Sequence, residues 1–360
     1  MATAPLNLEA DVVELTREIC DIESVSGNEK QLADAIEAAL KQYAHLEVIR
    51  DGDAIVARTN LGRAKRVVIA GHIDTVPVAN NLPIQMLSME REQVLYGRGT
   101  VDMKAGVAVQ LKLAATIAEP NSDVTWIFYD HEEVEATKNG LGRLARNRPD
   151  LLESSFAVLC EPTSAQVEGG CNGTMRIDIK LSGVKAHSAR PWMGENAIHK
   201  AAKALSILAD YKPAEVEVDG LVYRESLNAV LIDGGIATNV IPDEATITVN
   251  YRFAPSKSAS EAEAHLRGLF AGFDFDVTDS AEGARPGLDR PEAAAFVAAT
   301  KTEARPKYGW TDVARFSALG IPAVNFGPGD PSKAHADDEA VPVSQIYACE
   351  KALAAWLSVG

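Results

Sequence analysis

The chain has 360 residues, 46% of them hydrophobic and 24% charged, with a formal net charge of −16 and a sequence pI of about 4.9. That length suggests two domains of ~100–200 residues with ample core, and so acidic a chain repels phosphate backbones, which argues against nucleic acid as a partner. No apolar run reaches the ~18 residues of a membrane span, and four cysteines without a C-x-x-C pair are too sparse for a disulfide framework.

The N-terminal stretch MATAPLNLEADVVEL lacks a basic region followed by an apolar one, so no secretory leader is expected and the cytoplasm is the expected location. Leu8, Val12, Leu15, Ile19 and Ile22 then mark one apolar helix face, stopped at Ser24-Val25-Ser26-Gly27, and a second helix fits residues 29–42. Short apolar runs follow at Val67–Ala70, Val124–Tyr129, Phe156–Leu159 and Pro322–Phe326, the pattern of buried parallel strands. A helix at 104–118 separates the first two, so the layer architecture is α/β.

The middle of the chain has a different period. Met175, Ile177, Ile179 and Leu181 alternate with polar residues, a helix follows at about 195–210, and strands are expected at Asn228–Ile232, Ala245–Phe253 and Phe273–Val277 around a helix at 258–271. The order β-α-β-β-α-β predicts a ferredoxin-like α+β domain at 174–284, inserted between catalytic parts 1–173 and 285–360.

The chemistry-bearing residues follow strand ends. His72 follows the first buried run, Asp130-His131-Glu132-Glu133 the second, Glu161 the third, and His335 lies in the loop after the fourth. Ligands of open α/β sheets bind beyond the carboxyl ends of the strands. Asp102 joins them from Gly97-Arg98-Gly99-Thr100-Val101-Asp102, whose glycines suggest a tight turn into helix 104–118. Any one of these is most often a loop residue or a helix cap; together, two histidines and three carboxylates suit zinc. Five ligands exceed what one catalytic zinc needs, whereas two ions ~3.5–4 Å apart can share a carboxylate.

Of the adjacent pair Glu132-Glu133, one can bind metal while its neighbour holds a water. Asp74, two residues after His72, can accept the imidazole N–H and fix its tautomer. His131 reads as structural, or as a residue that supports the ligands without binding metal itself. In the middle domain His187 can donate to a developing oxyanion, and Asn239 and Arg252 can hold a substrate carboxylate. There is no G-x-x-x-x-G-K-[ST], G-x-S-x-G or H-E-x-x-H motif.

The segments GHIDTVP (71–77), YGRGTVDMKAG (96–106), DHEEV (130–134), CEPT (160–163), GVKAHSARP (183–191), TNVIPDE (238–244) and NYRF (250–253) resemble, in order and over nearly the whole chain, the zinc aminoacylase/carboxypeptidase family. The stretch from Trp310 to His335, with Gly327 as a candidate substrate contact, is most similar to the actinobacterial desuccinylases of that family.

The resemblance implies a zinc-exopeptidase-like mixed sheet with helices on both faces and an inserted lid that also forms a homodimer. It implies two zinc ions, with cobalt or manganese able to substitute, and a small N-acylated amino acid as substrate. His72 and Glu161 would hold one ion, Glu133 and His335 the other, with Asp102 bridging. Glu132 would be the general base, and His187 would serve the partner subunit's site. The implied activity is hydrolysis of N-succinyl-LL-2,6-diaminopimelate. The alternatives are a related deacylase such as acetylornithine deacetylase, a dipeptidase or carboxypeptidase, and a binding protein without activity. The chain departs from the family at Lys307–Asp312, at Asn325 and around Asn172.

Overall fold

A computed structural model describes residues 5–89 and 92–358. Residues 1–4 of the N-terminal stretch considered for a leader lie outside the described residues. The chain divides into two compact units. The first comprises the residues up to Gly169, Gly287–Arg305, and those from Arg315 on; the second comprises Gly170–Pro286 and Pro306–Ala314.

The first unit is built on an eight-stranded mixed sheet in the order Glu47–Asp51, Ala54–Arg58, Asp123–Tyr129, Arg66–His72, Phe156–Leu159, Ala323–Asn325, Glu168–Gly169, Arg305–Pro306. Its four central strands, from Asp123–Tyr129 to Ala323–Asn325, run parallel. Every residue of Asp123–Tyr129 is buried, as a parallel strand covered on both faces requires.

Helix Val12–Asp21 starts at Asp11, whose side chain accepts the N–H of Val13. Helix Lys104–Thr116 is buried on nearly all sides, packed on strand Arg66–His72 and between helices Val12–Asp21 and Val343–Ser358. Even its Lys104 is buried. The ammonium donates to the carbonyls of Ile19 and Ile22, capping the end of the first helix.

Phe156, Phe296, Phe326 and Trp356 form an aromatic cluster with centroids 4.9–5.9 Å apart, which binds helices Pro291–Thr300 and Val343–Ser358 to the sheet. A small antiparallel sheet, Ala340–Pro342, Glu92–Tyr96 and Gln85–Met89, is an addition to the expected elements; its strands are short, and Gln85–Met89 is mostly exposed.

The second unit carries a four-stranded antiparallel sheet in the order Ser226–Gly234, Glu244–Phe253, Gly173–Ser182, Asp274–Ala281. With helices Ala197–Asp210 and Ala259–Leu269 between the strands, this is the expected ferredoxin-like arrangement. The alternating residues Met175, Ile177, Ile179 and Leu181 lie in its core with Ile247, Val249 and Tyr251. Helix Ala259–Leu269 begins with a capping box between Ser258 and Glu261.

The hairpin Glu215–Val218/Leu221–Arg224 is an addition to that pattern. Pro306–Ala314, expected in the second catalytic part, groups with this unit instead. The Asn172 N–H donates to the Lys307 carbonyl, the Cys171 thiol to the Thr311 carbonyl, and the Trp310 indole to the Glu282 carbonyl. None of these contacts is visible in local sequence.

Candidate metal centre

Three parallel strands end on His72, on Tyr129 just before Asp130-His131-Glu132-Glu133, and on Leu159 just before Cys160-Glu161. The turn after Gly97 adds Asp102, whose peptide bond to Met103 is cis, and the loop after Ala323–Asn325 adds His335 at φ +65°.

The donor atoms of His72, Asp102 and Glu161 lie within 4.8 Å of one another, as do those of Asp102, Glu133 and His335, and those of His72, Glu132 and Glu133. Asp102 faces both imidazoles: its Oδ1 is 3.1 Å from His72 Nε2 and its Oδ2 is 3.4 Å from His335 Nε2. His335 Nε2 is also 3.0 Å from Glu133 Oε2. All six expected ligand and base positions thus meet in one cluster.

The electrostatics test whether a cation fits there. Burial opposes protonation of His72, yet Asp102 and Asp74 hold its pKa well above the ordinary imidazole value. Asp102 and Glu133 push His335 up to about 10. Asp102 is buried, which alone would raise its pKa, but the two imidazoles hold it well below the carboxylate range. Glu133 is pushed up by burial and by the charge of Asp102, against the pull of His335. Four carboxylates crowd two imidazoles, an arrangement that favours a positive charge among them, and the nitrogen-and-oxygen donor set suits a borderline divalent metal.

Asp74 faces His72 and has a further task besides. His72 Nδ1 is 3.0 Å from the main-chain carbonyl of Asp74 and 3.6 Å from its carboxylate, so the carbonyl is the nearer acceptor for the imidazole N–H. The carboxylate accepts the N–H of Glu132 on Oδ1 at 3.0 Å, the N–H of Glu133 on Oδ2 at 3.1 Å, and the Ser26 hydroxyl at 2.7 Å. It fixes the backbone of the acidic pair.

His131 is structural. It sits at φ +58°, its Nδ1 is 2.7 Å from Asp130 Oδ2, and its N–H donates to buried Glu29.

The backbone groups of Gly327 are engaged within the protein. Its N–H donates to Thr163 Oγ1 and its carbonyl accepts from Thr163 and Ala165, so its polar groups are already used inside the protein. A Cβ there would meet the Cys160 carbonyl at 2.3 Å. Gly327 allows the chain to pass close behind Glu161, and a substrate contact through its backbone is not supported.

His187, Asn239 and Arg252 belong to the second unit. His187 is exposed on the short strand Ala186–His187, paired with Val240–Ile241. The N–H of Ala189 donates to its Nδ1 at 3.0 Å, which leaves Nε2 to carry the proton of the neutral ring. The main-chain carbonyl of Asn239 accepts the N–H of Ser188. Half-buried Arg252 donates to Asn250 Oδ1.

Sequence reasoning missed Glu29, Ser26, Arg98 and Glu339. Glu339 ends the run His335-Ala-Asp-Asp-Glu, which reads as a solvated acidic stretch, yet it is buried.

A mixed sheet whose parallel central strands bring histidines and carboxylates to one cluster is the frame of a metal-dependent hydrolase. A model of the peptidase family M20/M25/M40 matches residues 68–358, and the chain belongs to that family.

Among its relatives, the DapE protein of Mycobacterium tuberculosis strain H37Rv is 51% identical over 98% of this chain and 99% of that one. The succinyl-diaminopimelate desuccinylase of Corynebacterium glutamicum is 47% identical over 98% of each. The fold is similar to that of a tripeptidase from Staphylococcus aureus, with TM-score 0.77 at 21% identity over 98% of both chains. It is also similar to the Bacillus subtilis YXEP protein, a dinuclear metal-binding peptidase of the M20 family, with TM-score 0.70 at 16% identity over 97% of both.

Proposed function

We propose that this chain is a two-zinc amide hydrolase that converts N-succinyl-LL-2,6-diaminopimelate to succinate and LL-2,6-diaminopimelate. The observation that carries the reading is near-full-length identity of 47% to the C. glutamicum desuccinylase, with an unbroken donor set and Glu132 in place. His72, Asp102 and Glu161 would hold one ion, and Asp102, Glu133 and His335 the other. When bound, the ion pair polarises the acyl carbonyl and makes a water acidic enough to react near neutral pH.

The chain's own residues do the rest. Glu132 takes a proton from the attacking water and passes it to the departing amine, base then acid. Asp74 holds Glu132 and Glu133 in register through their backbone N–H groups. Nε2 of His187 is the proposed donor to the oxyanion, while Asn239 and Arg252 are proposed for the substrate carboxylate.

Homodimer formation through the second unit belongs to the same reading. In its support, edge strand Ser226–Gly234 exposes Val230, Leu231 and Ile232. So does a cytoplasmic location, in keeping with four free, buried cysteines. Among the described residues no helix is long and apolar enough to cross a membrane.

The test is a panel of N-succinyl-diaminopimelate, N-acetylornithine and dipeptides with added zinc. The expected result is a kcat/KM for the succinyl substrate at least ~100-fold above the others, since sites built around buried polar contacts discriminate strongly. A preference for acetyl or dipeptide substrates would overturn the assignment while leaving the hydrolase class intact.

A further inference from the structure

Behind the metal centre lies a buried ion pair to which the mechanism assigns no task. Arg98 Nη1 is 2.8 Å from Glu339 Oε2, and the two side chains are 4% and 1% exposed. Each partner is also tied to the backbone of a ligand-bearing segment. Oε1 of Glu339 accepts the N–H of Val101 at 2.8 Å and that of Asp102 at 3.1 Å. Arg98 Nη1 donates to the carbonyl of Ala336, next to His335, at 3.2 Å, and its Nε to the carbonyl of Pro77. The His335 loop is held further by Asn81 and Tyr96, both donating to the Asp337 carbonyl, and by the Gly97 N–H donating to the Glu339 carbonyl.

From this geometry we propose that Glu339 and Arg98 are positioning residues that set the distance between Asp102 and His335, and so govern occupancy of the metal position formed by Asp102, Glu133 and His335. Stability alone is a poor reason for such a pair, because a buried salt bridge is often replaceable by apolar residues without loss. Its placement is the better reason. His335 is the most exposed ligand, with a side chain 55% exposed, and sits on a loop with little burial of its own. Without an anchor it would sample many positions, and a metal would bear the entropy of ordering it. Asp102 and His335 are far apart in sequence, and the Arg98–Glu339 pair joins their two loops directly.

The inference rests on the two-metal reading, and the experiment separates the two. Metal-free full-length wild type and Glu339→Gln are titrated with Co2+, followed by calorimetry and visible absorption, with thermal unfolding as the control for fold. An amide keeps the size of the carboxylate but has one acceptor oxygen, so it can serve Arg98 or the two N–H groups, not both. His335→Ala marks which binding phase belongs to the Asp102–Glu133–His335 position.

That phase is expected to weaken ~10–100-fold in Glu339→Gln, as for other residues that orient metal ligands, and the other phase by no more than ~3-fold. Arg98→Lys, which keeps the charge but loses the fork, should repeat the effect more mildly, and it carries the test should Glu339→Gln not fold. Unchanged phases in a folded variant, or equal loss of both, overturn the inference. A wild type that takes up no second ion overturns the two-metal reading and the inference with it.

Discussion

The backbone N–H of Glu132 donates to Oδ1 of Asp74 at 3.0 Å. The next N–H, of Glu133, uses the other oxygen of the same carboxylate. One buried side chain thereby fixes the proposed base and the proposed ligand relative to each other. Asp74→Asn leaves a single acceptor oxygen for two donors, and one buried N–H loses its partner. The expected loss is ~10–100-fold in kcat or metal affinity, read from steady-state kinetics and metal content together. Wild-type values for both would remove Asp74 from this role.

Glu132→Gln tests the division of labour within the acidic pair. The amide cannot accept a proton from water, so kcat should fall by ~10²–10⁴-fold or more. Metal content, measured by elemental analysis, should stay at the wild-type level, since Glu133 supplies the ligand. Turnover near wild type would refute Glu132 as base; loss of metal would make it a ligand.

Removing the metals should make the protein sensitive to alkali. In the metal-free protein His335 has its pKa raised from 6.5 to about 10 by Asp102 and Glu133. Its imidazolium therefore contributes stability that is fully present below about pH 6.5 and disappears as the pH rises through about 10. The melting temperature of metal-free wild type should fall across that window more than that of metal-free His335→Ala. Metal uptake at neutral pH must expel the proton, so calorimetry in buffers of different ionisation enthalpy should record proton release on binding. Absence of release at pH 7 would contradict the charge state assigned to His335.

Gly327 and Gly106 both press on the carbonyl of Cys160; a Cβ at either position would lie 2.3 Å from that oxygen. Gly327→Ala should push the Cys160-Glu161 segment away from its neighbours. The expected cost is about 1–3 kcal/mol of stability, as for other overpacked sites, with weaker binding at the position that uses Glu161. Denaturant melts of the metal-free protein and Co2+ titration measure the two effects separately. A variant as stable as wild type would mean that the segment moves at little cost.

The sequence by itself determined much of this molecule, because two of its signals are local. Apolar runs such as Val124–Tyr129 and the alternation Met175–Leu181 reflect burial on two faces or one, and the strands formed where those patterns stood. His72, the acidic pair and Glu161 were legible because the end of a parallel strand is both a sequence boundary and the place where such sheets bind ligands. The tertiary structure decided what depends on partners distant in the chain. Asp74 turned its carboxylate to Glu132 and Glu133, 58 and 59 residues away, as well as toward His72. Glu339, which reads as one more charge in a solvated run, found Arg98 and the Asp102 N–H more than 200 residues back. Gly327 was used for a close backbone approach rather than for a ligand. In each case the deciding quantity is a hydrogen bond or a contact distance between segments, and neither propensity nor periodicity carries that information.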